Sequence, residues 1–214
     1  MMKWFKWVIL LGAVVFAVYL NQLHTVVKEE FSKPLASIDS HLDLKEYPVE
    51  LINMLLIVED QSFFKHSGVD FVEIGRVARD YWLYDKPIRG ASTITQQLIK
   101  SSLLTREKTF KRKFKEGLMA FLLEVSFDKQ TILARYMNSV YLGQKGNYEI
   151  RGFERAAQFY FNQDVRALPL ERLSALVALL KGPSYYNPIK RPQRLLQRQK
   201  LVLHLYHTNQ KIVK

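Results

Sequence analysis

The stretch VELINMLLIVEDQSFFKHSGVD, Val49 to Asp70, decides the fold. Its apolar residues Leu51, Met54, Leu55 and Val58 recur every three or four positions, the repeat of a helix with one buried face. That helix leaves Glu59 near its end, with Asp60 beside it and the rings of Phe63 and Phe64 close by. Aromatic surroundings suit a carboxylate that must take a proton from a substrate hydroxyl. An Asp/Glu pair after a helix is also what a solvated turn looks like, so Glu59 needs company before it means chemistry. His66 reads as a structural hydrogen-bonding residue, because no metal-ligand spacing surrounds it.

Helical spacing continues outward from this segment. It covers Val72 to Tyr84, about Thr93 to Leu104 with Ser92 as its cap, and Lys108 to Val125. Lys129 to Leu142, Arg151 to Phe161, Pro169 to Leu180 and Pro192 to His207 follow. No alternating strand pattern, internal repeat or low-complexity tract stands out. A single, mainly α domain is expected.

Composition limits the functional classes. The 214 residues suffice for one domain plus an anchor, and 48% hydrophobic content supports a real core. Lysine and arginine total 32 against 20 acidic residues, a net charge of +12, so the partner is expected to be anionic. The absence of cysteine excludes disulfides and thiolate metal sites.

The N-terminus narrows the anion further. Lys3 and Lys6 precede the charge-free run WVILLGAVVFAVYL, Trp7 to Leu20. Fourteen residues at about 1.5 Å each reach only ~21 Å, so Trp4 to Lys6 must contribute to spanning a ~30 Å hydrocarbon core. A cleaved signal peptide competes with this reading, but no small-x-small site follows at Val18-Tyr19-Leu20-Asn21-Gln22. The expectation is a signal anchor over residues 1–21, a stalk over 22–48 and a domain over 49–214. Positive residues before the anchor put the N-terminus in the cytoplasm and the domain outside. On that topology a nucleic-acid partner is not expected.

Two further segments carry chemistry. RGASTITQQLIKSSL, Arg89 to Leu103, gathers Ser92, Thr93, Thr95, Gln96 and Gln97, whose hydroxyls and amides can donate to phosphate and sugar oxygens. Lys100 follows Gln96 by four residues, on one helix face. A capped polar helix start is the plain alternative. REKTFKRKFKE, Arg106 to Glu116, holds six basic and two acidic residues. A solvated face is the usual fate of such a run. Here Arg112 and Lys113 lie four and three residues before Glu116, so one carboxylate is flanked by cations and suits orienting groups or stabilising positive charge. A base, oxygen-directed donors and concentrated positive charge are what moving a sugar off a pyrophosphate requires.

In order and spacing these segments resemble the signature motifs of the peptidoglycan glycosyltransferases, over about Val49 to Leu203. Glu59, Asp60, Phe63, His66 and Gly68 match the EDxxFxxHxG pattern, and GASTITQQLIK matches GxSTITQQLxK. KRKFKE matches RKxxE, and KQTILARYMNSVYLG resembles KxxILExYLNxxYxG. GFERAAQFYF and KGPSYYNP match the remaining segments. Four positions depart from the pattern: Ser101 for Asn, Lys108 for Arg, Ala134 for Glu and Met137 for Leu. Lysine at 108 keeps the charge but loses bidentate phosphate recognition.

The resemblance implies a lysozyme-like, mainly α glycosyltransferase domain behind a transmembrane helix, in a bacterial plasma (inner) membrane. It makes Glu59 the general base and Glu116 the second essential carboxylate. Ser92, Gln96, Gln97, Lys100, Lys108, Arg112 and Lys113 become substrate-binding, Asn138 structural or substrate-adjacent, and Arg198 a candidate on the acceptor side. The implied reaction polymerises lipid II into glycan strands by inverting transfer from an undecaprenyl-pyrophosphoryl donor to the 4-hydroxyl of the acceptor. No cofactor is required. A divalent cation, Mg2+ or Mn2+, is an option at the pyrophosphate. The membrane, the growing glycan strand and other cell-wall synthesis proteins are the implied partners. With Lys214 soon after the last motif, a monofunctional enzyme is expected. A lytic enzyme or a non-catalytic scaffold are the alternatives. For the aromatic stretch Tyr81 to Tyr84, packing in the core and contact with the bilayer both remain open.

Overall fold

In a computed structural model, residues 2–35, 41–87, 90–105 and 107–209 are described. Arg89 and Arg106, which open the two polar segments above, lie outside them. The described chain holds nine α-helices, one hairpin and two single-turn 3-10 helices at Leu44–Glu46 and Val165–Ala167; the first helices are α1 (Met2–Ser32), α2 (Val49–Glu59), α3 (Phe71–Tyr84), α4 (Ile94–Leu103) and α5 (Phe110–Ser126). Then come α6 (Lys129–Ser139), β1 (Tyr141–Lys145), β2 (Tyr148–Arg151), α7 (Phe153–Phe161), α8 (Leu170–Leu179) and α9 (Pro192–Asn209).

The centre is α8. From Leu173 to Leu179 every residue is buried, including Ser174, whose hydroxyl donates back to the Glu171 carbonyl at 2.7 Å. A helix apolar all round must be enclosed on all sides, and α2 and α9 pack on it. Helix α2 gives Leu51, Met54, Leu55, Leu56 and Ile57 to the same core. A second layer of α4, α5 and α6 meets it through Ile94, Leu98 and Ile99 from α4 and Met119, Ala120 and Leu123 from α5.

The described residues correct the sequence reading in three places and decide a fourth that it left open. First, a two-stranded antiparallel hairpin stands where helix and loop were expected, with Gly143 opposite Ile150 and Lys145 opposite Tyr148. Gly146 supplies its turn at φ 58°. Helix α6 therefore stops at Ser139, and α7 starts at Phe153 rather than Arg151. Second, α4 is capped by Thr93, not Ser92. Thr93 Oγ1 accepts from the Gln96 N–H at 3.1 Å, and Gln96 Oε1 accepts from the Thr93 N–H at 3.1 Å. This reciprocal pair satisfies two of the helix's free donors.

Third, the helix of the anchor does not end near Asn21. It continues through the expected stalk to Ser32, and Leu23, Val27 and Phe31 bury one face against the domain. From Trp4 it is long and apolar enough to cross a membrane. Fourth, Tyr81, Trp82, Leu83 and Tyr84 are exposed, so they do not belong to the core. Helix α3 buries only Asp80. Its start is held by Asp70, which accepts from the Glu73 N–H at 2.8 Å and from the Ser62 hydroxyl.

Candidate active site

Glu59 is the last residue of α2, and the chain turns sharply after it into a loop bolted down on three sides. Asp60 is buried and accepts from the Ile94 N–H at 2.9 Å, which ties the end of α2 to the start of α4. A carboxylate at a helix N-terminus also meets the positive end of the helix dipole. His66 Nε2 donates to the same carboxylate at 3.0 Å, and its Nδ1 lies 4.0 Å from a Glu124 oxygen. Glu124, on α5, accepts from Thr95 Oγ1 at 2.6 Å and from Lys129 Nζ at 2.7 Å. Lys129 Nζ in turn sits 4.4 Å from the Phe63 ring centre. The loop closes at Gly68, where φ is 86° and a Cβ would lie 2.6 Å from the Ala120 backbone. Its carbonyl accepts from Thr93 Oγ1 at 2.6 Å. Only glycine fits there, for both reasons.

This frame leaves Glu59 half-buried, with one neutral partner. Gln97 Nε2 donates to its Oε2 at 2.9 Å, and Tyr136 Oη donates to Gln97 Oε1 at 3.0 Å. Burial, reinforced by the Glu59 and Asp60 carboxylates, pushes the Tyr136 hydroxyl well above its ordinary range. It therefore remains a donor, fixing which way the Gln97 amide points. Among the described residues the second oxygen of Glu59 has no donor, which leaves it for another proton donor.

Glu116 stands in a different setting. It is 1% exposed, and both of its oxygens are taken by cations. Arg112 Nη1 donates to Oε2 at 2.6 Å, and Lys113 Nζ donates to Oε1. Lys113 also donates to Ser92 Oγ at 2.8 Å. Helix α4 and the residue pair before it thus bridge the two carboxylates: Gln97 reaches Glu59, and Ser92 reaches the Lys113–Glu116 pair. Lys100 and Lys108 are exposed, and Thr109 caps α5 by accepting from the Arg112 N–H at 3.2 Å.

The remaining candidates fall elsewhere. Gln96 is 3% exposed and its Oε1 is spent on the cap described above. Asn138 has all its side-chain atoms engaged by protein: Oδ1 accepts from the Leu42 N–H at 3.1 Å and from Tyr47 Oη at 2.9 Å. Its Nδ2 donates to the Leu42 and Ala134 carbonyls, both at 2.9 Å. It is a clasp for the segment before α2. Arg198 is on α9, half-buried, with Nε buried and unbonded. The sequence reading missed Tyr136 as a site residue, together with Glu124 and Lys129. Tyr136 lies one turn after Leu133 on the buried face of α6, where a tyrosine needs a polar partner for its hydroxyl. Among the described residues no group of three or more His, Asp or Glu side chains is placed to hold a metal ion.

Comparison with known proteins identifies the family. The transglycosylase family model matches residues 28–207. The chain is 43% identical to penicillin-binding protein 1B of Haemophilus influenzae over 164 residues, 77% of this chain and 21% of that protein. It is 41% identical to penicillin-binding protein 1B of Escherichia coli over 164 residues, 77% of this chain and 19% of that protein. Against penicillin-binding protein 1A of Aquifex aeolicus it is 44% identical over 163 residues, 76% of this chain and 22% of that protein. The chain thus spans about a fifth of the length of these relatives. With the family model covering most of its length and its motif residues grouped around two carboxylates, the chain belongs to the transglycosylase family.

Proposed function

We propose that this protein is a peptidoglycan glycosyltransferase that polymerises lipid II. The observation that carries the reading is the unequal pair of carboxylates joined through α4. Glu59 has an oxygen free to accept a proton, while Glu116 is held inside a cationic cluster. In the proposed step the acceptor 4-hydroxyl attacks the anomeric carbon of the donor sugar, and its proton passes to Glu59. The bond from that carbon to the pyrophosphate oxygen breaks, and the pyrophosphate leaves with the electron pair. Lys100, Lys108, Arg112 and Lys113 supply the positive charge that the leaving group needs, and Ser92 and Gln97 position the reacting groups.

The cationic cluster also favours transfer over cleavage. Hydrolysis of a glycan needs a proton donor for the leaving sugar oxygen. Both oxygens of Glu116 are occupied by cations instead, which suits an anionic leaving group. The apolar start of α1 is read as a membrane anchor with its N-terminus in the cytoplasm. The exposed Phe71, Trp82, Leu83 and Tyr84 of α3 suit contact with the bilayer from which a lipid-linked substrate must be taken.

The test is polymerisation of labelled lipid II by the detergent-solubilised protein, beside Glu59→Gln. Glycan strands from the parent and none from the variant are expected. Cleavage of preformed glycan would move the protein to the lytic class. Bound lipid II with no product from either form would make it a scaffold.

A further inference from the structure

The end of α1 is held by a residue that the reaction does not use. Arg135, on α6, donates from Nη2 to the Glu30 carbonyl at 3.0 Å, and from Nη1 to the carbonyls of Phe31 at 3.2 Å and Lys33 at 2.5 Å. Its guanidinium carbon lies 5.2 Å from the Phe31 ring centre. The last carbonyls of a helix have no partner within it, and a guanidinium with several donors can close them together. Below this clamp, His24 Nε2 is 2.8 Å from Ser126 Oγ at the end of α5. The Phe31 ring meets Phe127 edge-on at 6.5 Å. Leu23, Val27 and Phe31 are each buried, one per turn. No glycine or proline falls between Gly12 and Pro34. The helix thus has no residue that would act as a hinge between its apolar start and the clamp.

Helix α6 is also where the hydrogen-bond chain to the base begins. Tyr136, the next residue, donates to Gln97, which donates to Glu59. Asn138 holds the segment that leads from the anchor into α2. One helix of eleven residues therefore grips the anchor on one side and the catalytic chain on the other.

We propose that Arg135 is a positioning residue that joins the membrane helix and the catalytic helices into one rigid body, fixing the height and tilt of Glu59 over the bilayer. This rests on the polymerase reading, in which the substrate pyrophosphate lies at the membrane surface. A loosely tethered domain would sample many orientations there, and few would present Glu59 to a lipid-linked sugar. From Leu20 to Ser32 the helix rises about 18 Å, so even a small change of tilt at its end moves the site by several ångströms. The catalytic hydrogen bonds themselves do not need the clamp.

The experiment compares the full chain and Arg135→Gln on lipid II in two settings: phosphatidylethanolamine–phosphatidylglycerol vesicles, and detergent micelles that present substrate from all sides. The vesicle rate is expected to fall about tenfold, with the micelle rate within about twofold of the parent. Hydrogen exchange is expected to rise over residues 23–31 and to stay unchanged in α8. Arg135→Lys should recover part of the vesicle rate. Ser126→Ala, which loosens the same contact from α5, should show the same split between vesicles and micelles. Equal losses in both settings would mark Arg135 as merely structural, and no loss in either would overturn the proposal. A parent protein that makes no glycan in either setting would overturn the polymerase reading and this positioning role with it. Unchanged exchange over 23–31 in Arg135→Gln would overturn the clamp whatever the activities.

Discussion

Glu59 and Glu116 are both glutamates on helices of the same domain, yet their surroundings could hardly differ more. Glu59 ends an apolar helix, is half-buried, and accepts one bond from a neutral amide whose other end is fixed by Tyr136. Glu116 sits inside α5, is 1% exposed, and has each oxygen held by a cation. A free lone pair next to neutral donors can take a proton from a sugar hydroxyl. An oxygen already occupied by Arg112 or Lys113 can only hold those cations in place. The difference teaches that two essential-looking carboxylates need not form an acid/base pair. Here one is suited to the chemistry and the other to building the charge that receives the leaving group.

Replacing each residue should therefore break different things. Glu59→Gln keeps the size and the partner for Gln97, so folding stability should change by less than about 0.5 kcal/mol. Its kcat/KM on lipid II should fall by about 10³-fold, as expected for loss of a general base. Steady-state turnover with a melting curve on the same sample checks both halves. Glu116→Gln should reverse the balance. Arg112 is 16% exposed and would lose its counter-charge, while Lys113, at 45%, can turn to water. A stability loss of about 2 kcal/mol is expected in urea unfolding of the domain, with an activity loss of about 10²-fold.

Smaller changes sharpen the contrast. Tyr136→Phe leaves Gln97 Oε1 without its donor, so the amide can turn away from Glu59. About 1 kcal/mol of stability and about a tenfold loss of rate are expected, with little change in lipid II binding measured in parallel. Asp70 gives the weakest effect and a pH dependence. Burial works to raise it, but bonds from the Ser62 hydroxyl and the Glu73 N–H outweigh that and hold it below its ordinary value of 3.8. Its contribution is thus fully present above that value and is lost as pH falls through the lower folded value. Helix α3 should fray over that acid window while α8 stays intact, a difference that amide exchange at stepwise lower pH would resolve.

Much of this was legible in the sequence because it depends on local rules. The period of α2 places Glu59 at a helix end, and the three- and four-residue steps from Lys113 and Arg112 to Glu116 dictate their contact. Thr93 and Gln96 also stand at capping-box spacing, whereas Ser92 has Thr95 in the third position and cannot close one. The pattern Leu23, Val27, Phe31 likewise shows that the helix continues past Asn21 with a buried face. Both signals were present and outweighed, by the density of hydroxyls in one case and by the polar composition of 22–48 in the other. The hairpin is different. Its strands are four and five residues long and one of them carries a register shift, so alternation has little room to show. That Gln97 faces Glu59 while Gln96 turns inward, and that Asn138 grips Leu42 and Tyr47, depend on contacts between residues 38 to 96 positions apart. No window along the chain contains them.

The central claim is that Glu59 accepts the proton and Glu116 does not. It is tested most directly by chemical rescue. Glu59→Ala and Glu116→Ala would be assayed on labelled lipid II with and without formate, a small carboxylate that can enter the vacated space. The account predicts at least a tenfold recovery for Glu59→Ala and none for Glu116→Ala, whose role is to hold Arg112 and Lys113 rather than to take a proton. Recovery of Glu116→Ala, with Glu59→Ala folded but unresponsive, would contradict it and exchange the two roles.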